Sequence, residues 1–224
     1  MDKNAKAIWE KRIQKTMENL VKNNMQPHYV ESVKDVAGKV AELLKEGDTV
    51  AVGGSMSLSE TGVIDLLRSG KYTFLDRYEE GLSNEQIREV FLKSFFADVY
   101  LSSSNAITEN GELYNVDGNS NRVAAICYGP KSVIIVAGVN KIVKDLDDAV
   151  KRVKTIAAPA NCTRLECKTY CKEKGECMGL ASGRSGMTSG CSGPNRICCS
   201  YVVSAYQNQK DRIKVIIVGE ELGY

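Results

Sequence analysis

Residues 97–122 read ADVYLSSSNAITENGELYNVDGNSNR, and the reading of this stretch decides the fold. Residues 99–108 have the content of a β-strand. Asn110-Gly111 is the dipeptide favoured in a two-residue type I′ hairpin, and residues 112–116 supply a returning strand. A sheet carrying a short projecting hairpin is the expectation. Behind the hairpin, Asp117, Gly118, Asn119, Ser120, Asn121 and Arg122 precede the apolar run 123–127. Small polar residues ahead of an apolar helix leave backbone N–H groups pointing outward, and an arginine adds a fork of donors for a carboxylate or phosphate. An anion site is the chemical suggestion. Ordinary turn chemistry accounts for the same residues without a ligand, because Asn, Asp, Ser and Gly make turns wherever they cluster.

Upstream, residues 49–52 form a buried-type strand that runs into GGSMSLSETG (53–62). Ser57 and Glu60 stand in the S-x-x-E relation of a capping box, which places a helix N-terminus just after the two glycines. This rim has the same character as 117–122, although any tight strand-to-helix turn uses the same elements. The candidate ligand-binding residues are Gly53, Gly54, Ser55, Ser57 and Thr61 on the first rim. On the second they are Ser103, Ser104, Asn105, Asn115, Asp117, Asn119 and Arg122. The chain has one histidine, His28, so acid–base work falls to a carboxylate whose pKa burial raises. Glu60 and Glu109 are the candidates.

The flanking chain alternates helices and strands. Ile8, Trp9, Ile13, Met17, Leu20 and Val21 mark an opening amphipathic helix, followed by a strand at 25–30 and a helix begun at Ser32. A strand at 72–75 comes next. Ser83 and Gln86 form a second capping box before a helix running to Phe96, with Ile87, Val90, Phe91 and Phe95 facing inward. A strand at 132–137 leads to a helix capped by Asp145, in which Asp148 and Arg152 are spaced as a solvated i,i+4 pair. Residues 213–218 form the last strand. This alternation predicts an α/β fold, a mainly parallel sheet with helices on both faces, whose ligands sit at the carboxyl ends of the strands. Three stretches are expected: an α/β domain over 1–160, a Cys-rich insertion over 161–200, and residues 201–224 completing the domain.

A formal charge of +2, with 30 cationic side chains interspersed among 28 acidic ones, argues against a nucleic-acid surface. The apolar runs are too short to span a bilayer, and the first twenty residues lack the apolar core of a signal peptide. A cytoplasmic protein is the expectation. Seven of the eight cysteines fall between Cys162 and Cys199, and such crowding in that compartment favours metal or redox chemistry over disulfides. If the Gly- and Ser-rich excursion 179–190 folds back, Cys171, Cys177, Cys191 and Cys198 make a four-thiolate set for zinc or an iron–sulfur cluster. Their spacing fits neither paired C-x-x-C knuckles nor a ferredoxin run, and disulfides or an unoccupied thiol cluster remain open.

Several stretches together resemble the LUD domain (DUF162) of lactate-utilisation proteins, and in particular its short stand-alone bacterial members. They are GGSMSLSETGVIDLLR (53–68), residues 97–130, VIIVAGVNKIV (133–143), AAPAN (157–161) and RIKVIIVGEELGY (212–224). Relatives look similar around Cys171, Cys177 and Arg196-Ile197-Cys198, with 179–190 as an insertion. The resemblance implies the fold of the sugar-phosphate isomerase, deaminase and CoA-transferase group, which binds phosphorylated or carboxylated small molecules at loops matching 53–61 and 103–122. It also implies iron–sulfur partner proteins of the kind that accompany LUD proteins in lactate systems. Two functions compete: binding or transforming a small anionic metabolite, or an electron-transfer or assembly subunit carrying iron–sulfur or zinc on the cysteines. A homo-oligomer is compatible with either.

Overall fold

The structure is a computed structural model, and it describes residues 3–184 and 186–224. Helix α1 (Lys3–Lys22) leads into β1 (Gln26–Val30), then α2 (Val36–Leu43), β2 (Thr49–Val52), the single turn α3 (Met56–Ser59), and α4 (Val63–Leu67). Next come β3 (Thr73–Leu75), α5 (Asn84–Lys93), β4 (Val99–Ser102), β5 (Ala106–Thr108), β6 (Leu113–Asp117), α6 (Asn121–Tyr128) and β7 (Ser132–Gly138). The chain continues through β8 (Ile142–Val143), α7 (Leu146–Arg152), α8 (Ala158–Arg164), α9 (Tyr170–Lys174), α10 (Met178–Ala181), β9 (Ser200–Ser204) and β10 (Ile213–Val218).

Six strands form one sheet in the order β1-β10-β7-β4-β2-β3, and every neighbouring pair is parallel. The reason is legible in β7, whose Val133 to Ala137 run has no polar alternation and is fully buried. Both faces of such a strand must be covered. Val133, Ile135 and Ala137 pack with Ile13 and Leu20 of α1 and Ile126 of α6. Ile134 and Val136 pack on the other face with Val36 and Val40 of α2, Leu58 of α3, and Val63 and Leu67 of α4. The expected α/β fold with helices on both faces is therefore what the chain adopts.

The stretch 99–108 is not one strand. β4 ends at Ser102, and β5 belongs to a second sheet ordered β8-β5-β6-β9. Side chains take over from the ladder at the break. Ser104 Oγ donates to the carbonyls of Ala106 (2.8 Å) and Tyr114 (3.1 Å), and Asn105 Oδ1 accepts from the Val116 N–H at 2.9 Å. The hairpin turn also differs from type I′. Asn110 keeps a negative φ and Gly111 alone is left-handed, at +80°. With the Gly111 N–H on the Thr108 carbonyl, residues 109–111 make a three-residue loop. A Cβ on Gly111 would meet the backbone of Asn19 at 2.6 Å, so α1 crosses directly over this glycine.

Other expectations shift as well. Ser55 caps α3, accepting from the Leu58 N–H at 3.3 Å, so the box expected at Ser57 and Glu60 starts two residues early and lacks its glutamate. The Ser83–Gln86 box forms, but α5 ends at Lys93, and Ile87, Val90 and Phe91 are only half-buried. Ile8 and Val21 of α1 face solvent. Arg152 is not a solvated partner of Asp148: it is buried, and donates to the carbonyls of Asn140 (3.0 Å) and Asn105 (2.7 Å). α8 runs across the expected boundary at 160/161, and β9 joins the second sheet beside β6.

Candidate functional site

The carboxyl ends of β2, β4 and β7 open into one cleft of about 730 Å³. After β2 the chain supplies Gly54 and Ser55, after β4 it supplies residues 103–105, and the 3₁₀ turn Val139–Lys141 after β7 delivers Lys141. The second sheet and its loops close the far wall with residues 116–119, and α8 adds Asn161 and Arg164. Parallel strands place ligands at this edge because their carboxyl ends release the loops together.

Of the sequence-derived candidates, Gly54, Ser55, Ser103, Ser104, Asn105, Asp117, Asn119 and Arg122 border this cleft. The two rims do meet. Gly53, Ser57, Thr61 and Asn115 stand behind the wall. The Thr61 hydroxyl is spent on the carbonyls of Ser57 and Leu58 at 3.0 and 3.1 Å, closing the α3 turn. Glu60 Oε2 accepts from the Gly223 N–H at 2.8 Å, pinning the tail rather than bordering the cleft. Glu109 is elsewhere, at the hairpin tip, where it pairs with Arg12 (2.7 Å) and Lys15 (3.0 Å) of α1. Burial pushes its carboxyl up, but the hydrogen bonds and charges of Lys15 and Arg12 outweigh this and hold it below the usual carboxylate range. A carboxyl in that condition is a poor proton donor at neutral pH, so the latch replaces the acid–base role expected of Glu109.

The anion cradle expected at 117–122 is already filled from within. Asp117 Oδ1 accepts from the Asn119 and Ser120 N–H groups, both at 3.1 Å, and Oδ2 from the Val123 N–H at 3.3 Å. The carboxylate that the N-terminus of α6 attracts is the chain's own. Arg122 is equally committed: Nη1 donates to Ser103 O (3.1 Å) and Asn115 Oδ1 (2.6 Å), and Nη2 to Asn105 Oδ1 (3.0 Å) and Val116 O (2.8 Å). Nε lies 3.4 Å from Asp117 Oδ2. Four guanidinium protons are thus taken up in joining the two sheets while Nε faces the Asp117 carboxylate, so what Arg122 offers the cleft is chiefly its charge. The Nδ2 of buried Asn115 has no hydrogen-bond partner among the described residues.

The side chain that sequence reasoning missed is Lys141. It is 3% exposed, and its Nζ donates to Ser57 Oγ and Ser103 Oγ, each at 3.0 Å. Burial, then the charges of Arg152 and Arg122, push its ammonium down to about 7, with Glu60 opposing weakly. Arg77, Arg164 and Arg196 also border the cleft. Arg77 stacks on Phe91 with its Cζ 4.5 Å from the ring centroid. Arg164 donates to Asn161 Oδ1 and to Tyr224 Oη at 2.7 Å, and Arg196 donates to backbone carbonyls and Tyr201 Oη. Among the described residues, only Arg122 of these five cations has a carboxylate within 4.0 Å. The signal that could have found Lys141 was its place, a lysine three residues beyond a strand whose run 133–137 is apolar throughout.

The LUD domain profile matches residues 13–218, nearly the whole chain and all of the cleft's strands. The chain belongs to the LUD domain family. In structure this LUD domain is similar to a DUF162 family protein from Deinococcus radiodurans, with a TM-score of 0.50, 14% identity, and coverage of 95% of this chain and 98% of that one. That similarity speaks for the fold. The eIF2B beta subunit from Chaetomium thermophilum aligns over 53% of this chain and 41% of its own, with 18% identity and a TM-score of 0.35. Comparison with curated proteins returns no match.

In this LUD domain the four expected metal ligands, Cys171, Cys177, Cys191 and Cys198, all border one small cavity of about 30 Å³ beside the cleft, with Cys198 and Arg196 lining both spaces. Burial pushes the Cys198 thiol up to about 12, and the other three cysteines push in the same direction. Cys171 Sγ lies 3.4 Å from Thr169 Oγ1 and 3.6 Å from the Sγ of Cys162, a cysteine outside the expected set. Among the described residues no three His, Cys, Asp or Glu side chains are grouped tightly enough to hold a metal ion. The described cysteines are free thiols, and among the described residues no helix is long and apolar enough to cross a membrane.

Proposed function

We propose that this LUD domain binds, and acts on, a small anionic metabolite in the cleft at the carboxyl ends of its central strands. The observation that carries the reading is the imbalance of charge in that space, where Arg77, Arg164 and Arg196 approach with no carboxylate at ion-pair distance among the described residues. Unneutralised cations in a recess are costly without an anion, and a bound carboxylate or phosphate offsets that cost. A hydroxy- or ketocarboxylate or a phosphorylated compound matches this chemistry. Thermal melting and isothermal titration with lactate, pyruvate and a sugar phosphate test it. A rise in Tm and saturable heat with one of these is expected; no heat and unchanged melting with all three would overturn the reading.

A second reading comes from the cysteines, because four thiols from separate segments face one cavity next to the cleft. In this reading zinc or an iron–sulfur cluster draws Cys171, Cys177, Cys191 and Cys198 inward, with Lys154 and Arg196 favouring the thiolates. The domain then serves as an electron-transfer or assembly subunit alongside iron–sulfur partner proteins, or uses zinc as a structural clip. Metal analysis and absorption spectra after purification without oxygen separate these: a brown, iron-bearing protein or stoichiometric zinc supports the reading, and a metal-free colourless protein removes it.

A further inference from the structure

Resting on the anion-cleft reading, we infer that Lys141 is a covalent catalyst, forming an imine with an anionic metabolite that carries an aldehyde or ketone carbonyl, such as a 2-oxo acid. Two features of geometry, and the charges around them, support this. Lys141 is enclosed yet is one of the residues lining the cleft, and its Nζ bonds to the hydroxyl of Ser103, another lining residue, which puts the amine next to the space a ligand would fill. Its two hydrogen-bond partners are the hydroxyls of Ser57 and Ser103, and no carboxylate stands within ion-pair distance among the described residues. The charged groups that face it are Arg152 and Arg122, which disfavour the ammonium, and Glu60, which favours it. A lysine built only to hold an anion would be served by its charge; this one sits where the charge is disfavoured.

The step balances without a co-reactant. The nitrogen lone pair attacks the carbonyl carbon, and the π pair moves to oxygen, which takes a proton. The carbinolamine then loses water. Of the two hydrogens in that water, one comes from the amine and one is taken up from solvent through the hydroxyls of Ser57 or Ser103, leaving a protonated imine. The cations of the cleft hold the carboxylate of the same substrate, so the carbonyl is presented at a fixed distance from nitrogen. The neutral amine fraction at neutral pH is roughly 10³ times that of a surface lysine, which makes selective reaction the expected outcome.

The full chain is incubated with pyruvate or glyoxylate and sodium cyanoborohydride at neutral pH, then examined by intact mass and peptide mapping, with lactate as the carbonyl-free control. The expected result is one reduced adduct at Lys141, formed at least about tenfold faster than at any exposed lysine, absent with lactate and absent in Lys141→Met. Adducts spread evenly over surface lysines would overturn the inference. Melting with each anion is measured on the same samples. A Tm rise with pyruvate but no Lys141 adduct overturns the imine and leaves the anion cleft standing, whereas no Tm change with any anion removes both.

Discussion

A Cβ atom on Gly53 would lie 3.0 Å from Cγ of Arg122, 3.0 Å from the Tyr100 hydroxyl and 2.9 Å from Ser102 Oγ. The loop after β2 and the arginine that joins the two sheets are therefore in van der Waals contact, with no room for a methyl group between them. This contact sets the spacing of the cleft's two rims. Gly53→Ala forces Arg122 or Tyr100 aside, and overpacking of this kind costs about 1–3 kcal/mol. Urea unfolding would read the loss, and weaker anion binding should accompany it because the rims move apart.

Arg122→Lys keeps the charge and loses the fork. Asn105, Asn115 and the Val116 carbonyl then lose donors inside the wall, at a cost of about 2–4 kcal/mol. The expected outcome is a lower urea midpoint, with proteolysis becoming faster in the loops at 103–105 and 116–119. Retention of wild-type stability would show that water replaces the guanidinium.

Arg77→Ala and Arg164→Ala touch the cleft without joining the sheets. Each should weaken binding of pyruvate or inorganic phosphate by about 3- to 10-fold, more at low salt than at high salt, since exposed charges are screened over about 10 Å at 0.1 M. Titration calorimetry at two ionic strengths checks both the size and the salt dependence.

Lys141 makes stability depend on pH. In the unfolded chain its ammonium persists to about 10.5, but in the folded protein only to about 7. Between those values the unfolded chain binds more protons, so this group's contribution to stability rises with pH from about 7 to about 10.5. Below about 7 the folded protein bears the full cost of the buried charge, set first by burial and then by Arg152 and Arg122, against Glu60. Lys141→Met should therefore be the more stable protein at neutral pH by a few kcal/mol at most. The difference from wild type should shrink between about pH 7 and about pH 9.5. Urea unfolding of both proteins across that range measures it.

Glu109→Gln isolates the latch from the cleft. Arg12 and Lys15 are partly exposed, so the loss should be about 1 kcal/mol or less, with anion affinity unchanged. Because the folded carboxyl lies below its usual range, the stabilisation is present above the unfolded pKa and is lost as pH falls through the folded one. Melting curves taken into the acid range on both proteins would show the gap closing.

What could be read from the chain was what depends on neighbours in sequence. The runs 50–52, 133–137 and 215–218 inside β2, β7 and β10 are apolar without alternation, and that pattern dictates a sheet covered on both faces, hence parallel strands and a cleft at their carboxyl ends. The family resemblance rested on local motifs and is matched over residues 13–218. Caps at Ser32, Ser83 and Asp145 were legible for the same reason, each bonding a backbone N–H two or three residues on.

What only the tertiary structure decided depends on partners distant in the chain. The second sheet was hidden because β8 has two residues and β9 pairs with β6 across more than eighty positions, between Asn115 and Val202 and their neighbours. A serine can end a strand or continue it, and here Ser102 ends β4 because Arg122 and Ser104 supply the bonds that a ladder would have made. The sequence by itself determined an α/β sheet and two polar rims meeting at its carboxyl edge. Which polar atoms there are spent and which are open to a ligand was settled by long-range hydrogen bonds: they consume Arg122 and Asp117, and they place Lys141 in low-dielectric surroundings beside two hydroxyls.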